Sequence, residues 1–162
     1  MRWILRRQKL EPIPDIGASI ELERREVHWD RDRGWDRSPS LQRVRLALPE
    51  HLHHSPPHRN RGDGLWAVVA CASNVPVGLA WCVRWACDPT VALIEEVAVV
   101  RPWQNQGIGT SLVKESSRWM VSLGFERITA HPISGSAWLE RLGFVDDGYR
   151  NFIADTLAVT SA

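Results

Sequence analysis

The amino-acid sequence predicts a single domain of the α/β (α+β) class, a mixed and mostly antiparallel sheet flanked by helices. Three observations carry this expectation. Three apolar, β-type runs follow one another between Leu65 and Val100, the periodicity becomes helical from Gly107, and short β-compatible runs return after it. A length of 162 residues suits one domain, here 1–162. With 44% hydrophobic and 24% charged residues, the composition is globular and argues against disorder, collagen and coiled coil.

The elements follow in order. Leu65 to Cys71 is a strand-like run, Ser73-Asn74-Val75-Pro76 punctuates it, and Val77 to Trp85 resumes it, which predicts an antiparallel hairpin. Val91 to Val100, rich in Val and Ile, makes a third strand after the Asp88-Pro89 turn, and Pro102 ends it. Ile108, Leu112, Glu115, Trp119 or Met120, and Leu123 then mark a helix, with Gly124 as its C-terminal cap. Arg127 to Ala130 is a short strand, Ser134 to Leu142 a helix stopped by Gly143, and Phe152 to Val159 closes the sheet. Before residue 65, Ile16 to Val27 reads as a helix with Ile16, Ile20 and Val27 on one side. Ser40 can cap a second with Leu41, Val44 and Leu48, although Val44, Leu46 and Leu48 also alternate as in a strand. Trp29 to Ser40 and His51 to Gly64 read as loops.

Charge and cysteine content exclude several classes. A formal net charge of +1 leaves no electrostatic footprint for nucleic acid. Residues 1–62 nevertheless carry an excess of basic side chains and the remainder an excess of acidic ones, which fits either a binding face on the N-terminal third or, as the interspersed Asp30-Arg31-Asp32-Arg33 favours, a solvated loop. Cys71, Cys82 and Cys87 form no C-x-x-C pair and read as buried small hydrophobes. The longest apolar stretch, Leu65 to Val83, is broken by Ser73, Asn74 and Pro76, so no segment reaches the roughly 20 apolar residues of a membrane span. Met1 to Leu10 lacks the apolar centre of a secretory signal, which places the expected location in the cytoplasm, away from membranes.

The segment that carries chemistry is Glu95-Glu96-Val97-Ala98-Val99-Val100-Arg101-Pro102-Trp103-Gln104-Asn105-Gln106-Gly107-Ile108-Gly109. A strand passes through a short turn and opens into a helix across two glycines. Such a junction leaves the first helical N–H groups pointing outward at the positive end of the helix dipole, and glycine lets a pyrophosphate come close to the backbone. A Walker loop and a G-x-G-x-x-G dinucleotide turn are both absent.

What remains is Q-x-x-G-x-G at Gln104 to Gly109. Together with the preceding Ala98-Val99 and acidic pair, the helix ending at Gly124-Phe125, and Trp138-Leu139-Glu140-Arg141-Leu142-Gly143-Phe144, it resembles the GNAT superfamily of acyl-CoA-dependent N-acetyltransferases over about residues 65–150. The resemblance implies that fold, with the sheet splayed between the strand ending at Val100 and the one near Arg127 so that acetyl-CoA enters the gap. It implies that Val97, Ala98 and Val99 lie along the pantetheine arm, its backbone contacts coming from Val97 and Val99, and that amides of Gln104, Asn105, Gln106, Gly107, Ile108, Gly109 and Thr110 hold the pyrophosphate, with the Thr110 hydroxyl adding a bond. The asparagine often found at the start of the last helix is replaced by Pro132, and Ser134 or Ser136 takes its contact with pantetheine. No metal is needed, and a homodimer is compatible with the family.

Acetyl transfer needs a neutral amine, so a base must take a proton before or during attack. Glu95 and Glu96 stand on the strand before the glycine turn, and simple alternation lets only one face the cleft. Polyamine acetyltransferases of the superfamily carry a similar acidic pair whose first member is catalytic, which implies Glu95; the alternative is an ion pair with Arg84 or Arg127. Many family members place a tyrosine in the last helix as the acid for the departing thiolate, and that position is Leu139. Tyr149, the only tyrosine, or His131, or water, then takes this part, since a thiolate near pKa 8.5 needs little help. The expected activity is direct acetyl transfer to a primary amine of a small molecule or peptide, with residues 1–64 forming the acceptor-binding part. Another acyl-CoA, or a non-catalytic CoA-binding or regulatory module, are the alternatives. His51, His53, His54 and His58 read as a solvated or substrate loop rather than a zinc site. Trp66, Trp81 and Trp119 read as core, whereas Trp29 and Trp35 are candidates for an acceptor pocket.

Overall fold

The computed structural model describes residues 17–27, 65–85, 87–130, 136–148, 152–155 and 159. Seven strands form one sheet: β1 (Ile20–Val27), β2 (Leu65–Ala72), β3 (Val75–Arg84), β4 (Val91–Val99), β5 (Arg127–Ala130), β6 (Val145–Asp146) and β7 (Phe152–Asp155). Their order is β1-β2-β3-β4-β5-β7-β6. Only β4 and β5 run parallel; every other neighbouring pair is antiparallel. A 3-10 turn (Arg101–Trp103) follows β4, the long helix α1 spans Ile108–Ser122, and the short helix α2 spans Ser136–Glu140.

Strands β2 to β5 form where their sequence pattern predicts, while the strand expected over Phe152 to Val159 spans Phe152–Asp155. The β2–β3 hairpin turns through Ser73 and Asn74 at φ of +48° and +64°, the left-handed pair that matches strand twist. Helix α1 buries Ile108, Leu112, Val113, Trp119 and Met120 against the sheet, and Gly124 follows its end at φ +89°. These side chains join Val68, Ala80, Cys82, Ile94, Ile128, Leu139 and Phe144 in the main core. A second cluster, Ala67, Val69, Leu79, Trp81, Val83 and Leu93, lies on the alternate positions of β2, β3 and β4.

Three expectations require correction. Residues 20–27 are not helical: Ile20–Val27 pairs antiparallel with Ala72–Leu65 along its whole length. Ile20 and Leu22 turn toward the main core, while Arg24 donates to Glu115 at 2.8 Å and lies 5.9 Å from the Trp119 ring centre. Pairing with a strand far along the chain outweighs the local helical spacing. Cys71 and Cys82 are buried, and that burial pushes their thiols up to about 11 and about 12, but Cys87 is exposed in the turn before β4. The two-residue β6 was not foreseen, being too short for any periodicity. The expectations for Ser40 to Leu48, the histidine loop, Trp29 and Trp35 lie outside the described residues, whereas Trp66, Trp81 and Trp119 are buried.

Gly78 on β3 lets α1 approach the sheet. A Cβ there would meet Leu112 Cδ1 at 3.1 Å, Ile108 Cγ2 at 3.2 Å and the Ala98 carbonyl at 3.3 Å. Gly78→Val is therefore expected to lower unfolding stability by about 1–3 kcal/mol through overpacking, read as an earlier urea midpoint. An unchanged midpoint would contradict this packing.

Candidate active site

The parallel ladder between β4 and β5 covers only Val91–Ile94 against Arg127–Ala130. Beyond it β4 continues from Glu95 to Val99, still paired with β3, while on its other side no described strand accompanies it. The sheet is splayed there. The Val100 N–H donates to the Val77 carbonyl on β3 at 2.8 Å. Because backbone groups alternate sides along a strand, the N–H and C=O of Val97 and Val99 point into the gap, and those of Ala98 point to β3. The Val99 carbonyl is already taken by the Gln104 side-chain amide, which donates to it at 2.9 Å and ties the turn to the strand end.

At the mouth of the gap lies the glycine turn. Asn105 and Gly107 both adopt left-handed conformations, φ +62° and +79°. Asparagine and glycine tolerate this region best, so these residue types suit a chain that must reverse in so few steps. Gly107 is the N-cap of α1 and offers no side-chain cap, nor is any acidic residue present in the first turn. The first intrahelical bond is Ser111 N–H to the Gly107 carbonyl at 3.0 Å. The N–H groups of Ile108, Gly109 and Thr110 are consequently left for an external acceptor, with the positive helix end behind them.

A cleft of about 460 Å³ is lined by Val97, Val99, Gln104, Asn105, Gly107, Gly109 and Thr110, together with Trp103 and Trp138. The structure thus gathers seven of the expected residues. Ala98 and Ile108 are buried in the protein, so Ile108 can offer only its N–H and Ala98, whose polar groups face β3, offers nothing to the gap. The Gln106 side chain turns back to donate to the Pro102 carbonyl at 3.2 Å. Trp103 and Trp138 were not singled out by the sequence reading for this cleft; the one available signal was their place beside the turn and beside the predicted last helix. Leu139, the position of the family's tyrosine, is buried in the main core, and the residue of α2 that reaches the cleft is its neighbour Trp138. Tyr149, Ser134 and His131 lie outside the described residues.

The acidic pair sits where β4 leaves β5. Trp81 is registered with Glu96 and Cys82 with Ile94, so Glu95 is an extra residue with no Cα partner, a β-bulge. Strict alternation therefore fails here. Ala92 and Ile94 join the core beneath α1, and after the bulge the odd positions Val97 and Val99 do so instead. Glu96 stands across from Trp81, on the face of the second cluster. Burial, reinforced by the neighbouring Glu96 carboxylate, pushes the Glu95 carboxyl up to about 7. Arg127, one of the two arginines considered as an ion-pair partner, is paired with Asp88 at 2.8 Å, and the causes of the Glu95 shift are burial and a like charge rather than a cation. Asp88 itself is held below the usual carboxylate range by the Thr90 hydroxyl and backbone N–H, with Arg127 adding to the effect.

A splayed mixed sheet whose open strand runs into a glycine turn at a helix start matches a known pattern. The model of the acetyltransferase (GNAT) family fits residues 24–144. The chain belongs to the GNAT family. Solved structures agree in fold. A GNAT-family protein from Desulfovibrio desulfuricans superposes with a TM-score of 0.60 at 17% identity, covering 85% of this chain and 99% of its own. A GNAT acetyltransferase from Staphylococcus aureus Mu50 gives 0.54 at 14% identity, covering 83% and 99%. The AtaT toxin, bound to acetyl-CoA and to the C-terminus of the antitoxin AtaR, gives 0.51 at 16% identity, covering 87% and 96%. No curated protein is similar to this GNAT chain in sequence. Among the described residues, no helix is long and apolar enough to cross a membrane.

Proposed function

We propose that this GNAT protein transfers the acetyl group of acetyl-CoA directly to a primary amine of a small molecule or peptide, within a ternary complex and without a covalent enzyme intermediate. The observation that carries the reading is the continuity of one strand: β4 leads from the bulge at Glu95, along the gap-facing backbone of Val97 and Val99, to the free first-turn N–H groups of Ile108, Gly109 and Thr110. That line has the shape of an extended thioester arm ending in a pyrophosphate. The acetyl-CoA held by the AtaT toxin, on the same fold, supports the choice of cosubstrate.

In this reading the first-turn amides and the Thr110 hydroxyl hold the phosphates, and Val97 and Val99 orient pantetheine. Glu95, directly or through one water, takes the proton of the attacking ammonium or amine. The nitrogen lone pair forms the C–N bond at the thioester carbonyl, the C–S bond then breaks, and the sulfur departs as thiolate. Leu139 has no proton to give. The thiolate is protonated by Tyr149, by His131 or by water, a modest demand for a group near pKa 8.5. Residues 1–64 would supply the acceptor's surroundings.

Glu95 sets a pH dependence of determinate sign. Its carboxylate, the form that acts as base, grows as pH rises through about 7, so turnover is expected to rise along that limb and to flatten in Glu95→Gln. Stability runs the opposite way. Between the ordinary glutamate value of 4.5 and about 7 the folded chain binds more protons than the unfolded one at this site, so unfolding free energy falls as pH rises there. Urea titrations at several pH values would show a shallower slope in Glu95→Gln.

The buried Leu139 favours one second reading, a CoA-binding module without turnover. A panel of amines monitored by thiol release separates the two. Enzyme-dependent thiol with acetylated amine supports transfer, whereas stabilisation by CoA with no thiol above the uncatalysed rate for any amine supports the module.

A further inference from the structure

The cleft wall contains a contact that the acetyl-CoA reading does not itself require. The Trp138 indole Nε1–H donates to the Thr110 Oγ1 at 3.0 Å. The ring also covers Gly109, since a Cβ built there would lie 3.5 Å from Trp138 Cζ2 and 4.0 Å from Cη2. Trp138 belongs to α2, which follows β5, and Thr110 to the first turn of α1, which follows β4. The bond therefore joins the two banks of the gap where the free helical N–H groups are presented.

The chemistry of the two partners is asymmetric. An indole N–H can only donate, whereas a threonine hydroxyl has one proton and two lone pairs. With Trp138 occupying a lone pair of Oγ1, the Thr110 proton has no acceptor on the indole. The Thr110 hydroxyl makes no other hydrogen bond among the described residues. A donor into the oxygen also polarises the O–H that remains. We propose that Trp138 is a positioning residue of the phosphate site: its N–H fixes the Thr110 hydroxyl so that the single proton of that group is presented to a pyrophosphate oxygen. Trp138 acts on the phosphate only through Thr110, while its ring covers Gly109. The inference rests on the acetyl-CoA reading of the cleft.

The test compares CoA with pantetheine, which shares the arm but lacks every phosphate, by calorimetry on wild type, Trp138→Phe, Thr110→Val, Thr110→Ser and the Trp138→Phe/Thr110→Val pair. Phenylalanine keeps a ring but cannot donate. The expected result is a roughly five- to tenfold weaker CoA affinity in Trp138→Phe and in Thr110→Val. The double variant should be little weaker than either single one, Thr110→Ser should bind nearly as wild type, and pantetheine affinity should be unchanged throughout. Equal weakening for CoA and pantetheine would show that the indole acts only as a wall, and additive losses would show that the two residues act separately; either overturns the proposal. Tighter CoA binding in Trp138→Phe would also overturn it, making the contact a competitor of the phosphate. Should Trp138→Phe lose the folded state, seen in its thermal midpoint, Thr110→Val against Thr110→Ser still decides, because equal CoA affinity in those two denies the hydroxyl any part. A wild type that binds CoA no better than pantetheine would instead refute the phosphate reading on which the inference stands.

Discussion

Glu95→Gln lowers turnover by about 10²- to 10⁴-fold at saturating amine, the usual cost of losing a general base, while acetyl-CoA affinity stays close to wild type. Glutamine keeps the shape of the side chain and removes only its basicity. Glu96→Gln has a different signature. Removing the neighbouring carboxylate relieves part of what holds Glu95 up at about 7, so the pH limb moves to lower pH with a much smaller change in maximal rate. The amine's own ionisation produces a rising limb in every variant, and so the decisive comparison is made at one pH under saturation. Equal turnover for wild type and Glu95→Gln would remove Glu95 from the mechanism; a selective loss in Glu96→Gln would transfer the role to its neighbour.

Gly109→Val is expected to abolish detectable acetyl-CoA binding. Gly109 lies in the cleft wall, and a Cβ there has only ordinary contact with Trp138 at 3.5 Å, so the fold has room for a Cβ at a place where a pyrophosphate must approach the backbone. Gly107→Val should lose binding too, but with a second cost. At φ +79° a β-branched residue is strained by about 1–3 kcal/mol, so its thermal midpoint falls as well. Calorimetry with circular dichroism separates the two effects, and unchanged affinity in both variants would mean that the phosphates bind elsewhere.

Much of this was legible from residue pattern. The runs from Leu65 to Val100 and the i, i+4 spacing from Ile108 to Leu112 encode buried faces directly, and a burial pattern is what periodicity reports. The stretch Ile20–Val27 shows the limit of that signal. Ile20 and Val27 fit a helical face, yet Ile20 and Leu22 against Glu21 and Glu23 fit a strand equally well, and the choice was made by pairing with β2, whose partner residues lie 38 to 52 positions further along the chain. The bulge at Glu95 left no trace, because a bulge of this kind needs neither glycine nor proline. Alternation counted from Ala92 and Ile94 consequently puts Val97 and Val99 on the wrong face. Trp103 and Trp138 escaped notice for a related reason: an aromatic residue beside a turn looks like core until a gap opens next to it.

The most direct test is a crystal structure with CoA or a non-hydrolysable acetyl-CoA analogue bound. Pyrophosphate oxygens are expected on the N–H groups of Ile108, Gly109 and Thr110, pantetheine along Val97 and Val99 between β4 and β5, and the acyl carbon placed so that Glu95 is within hydrogen-bond reach of the amine site or one water from it. Pyrophosphate bound away from the glycine turn, or an acyl end directed away from Glu95, would contradict this arrangement.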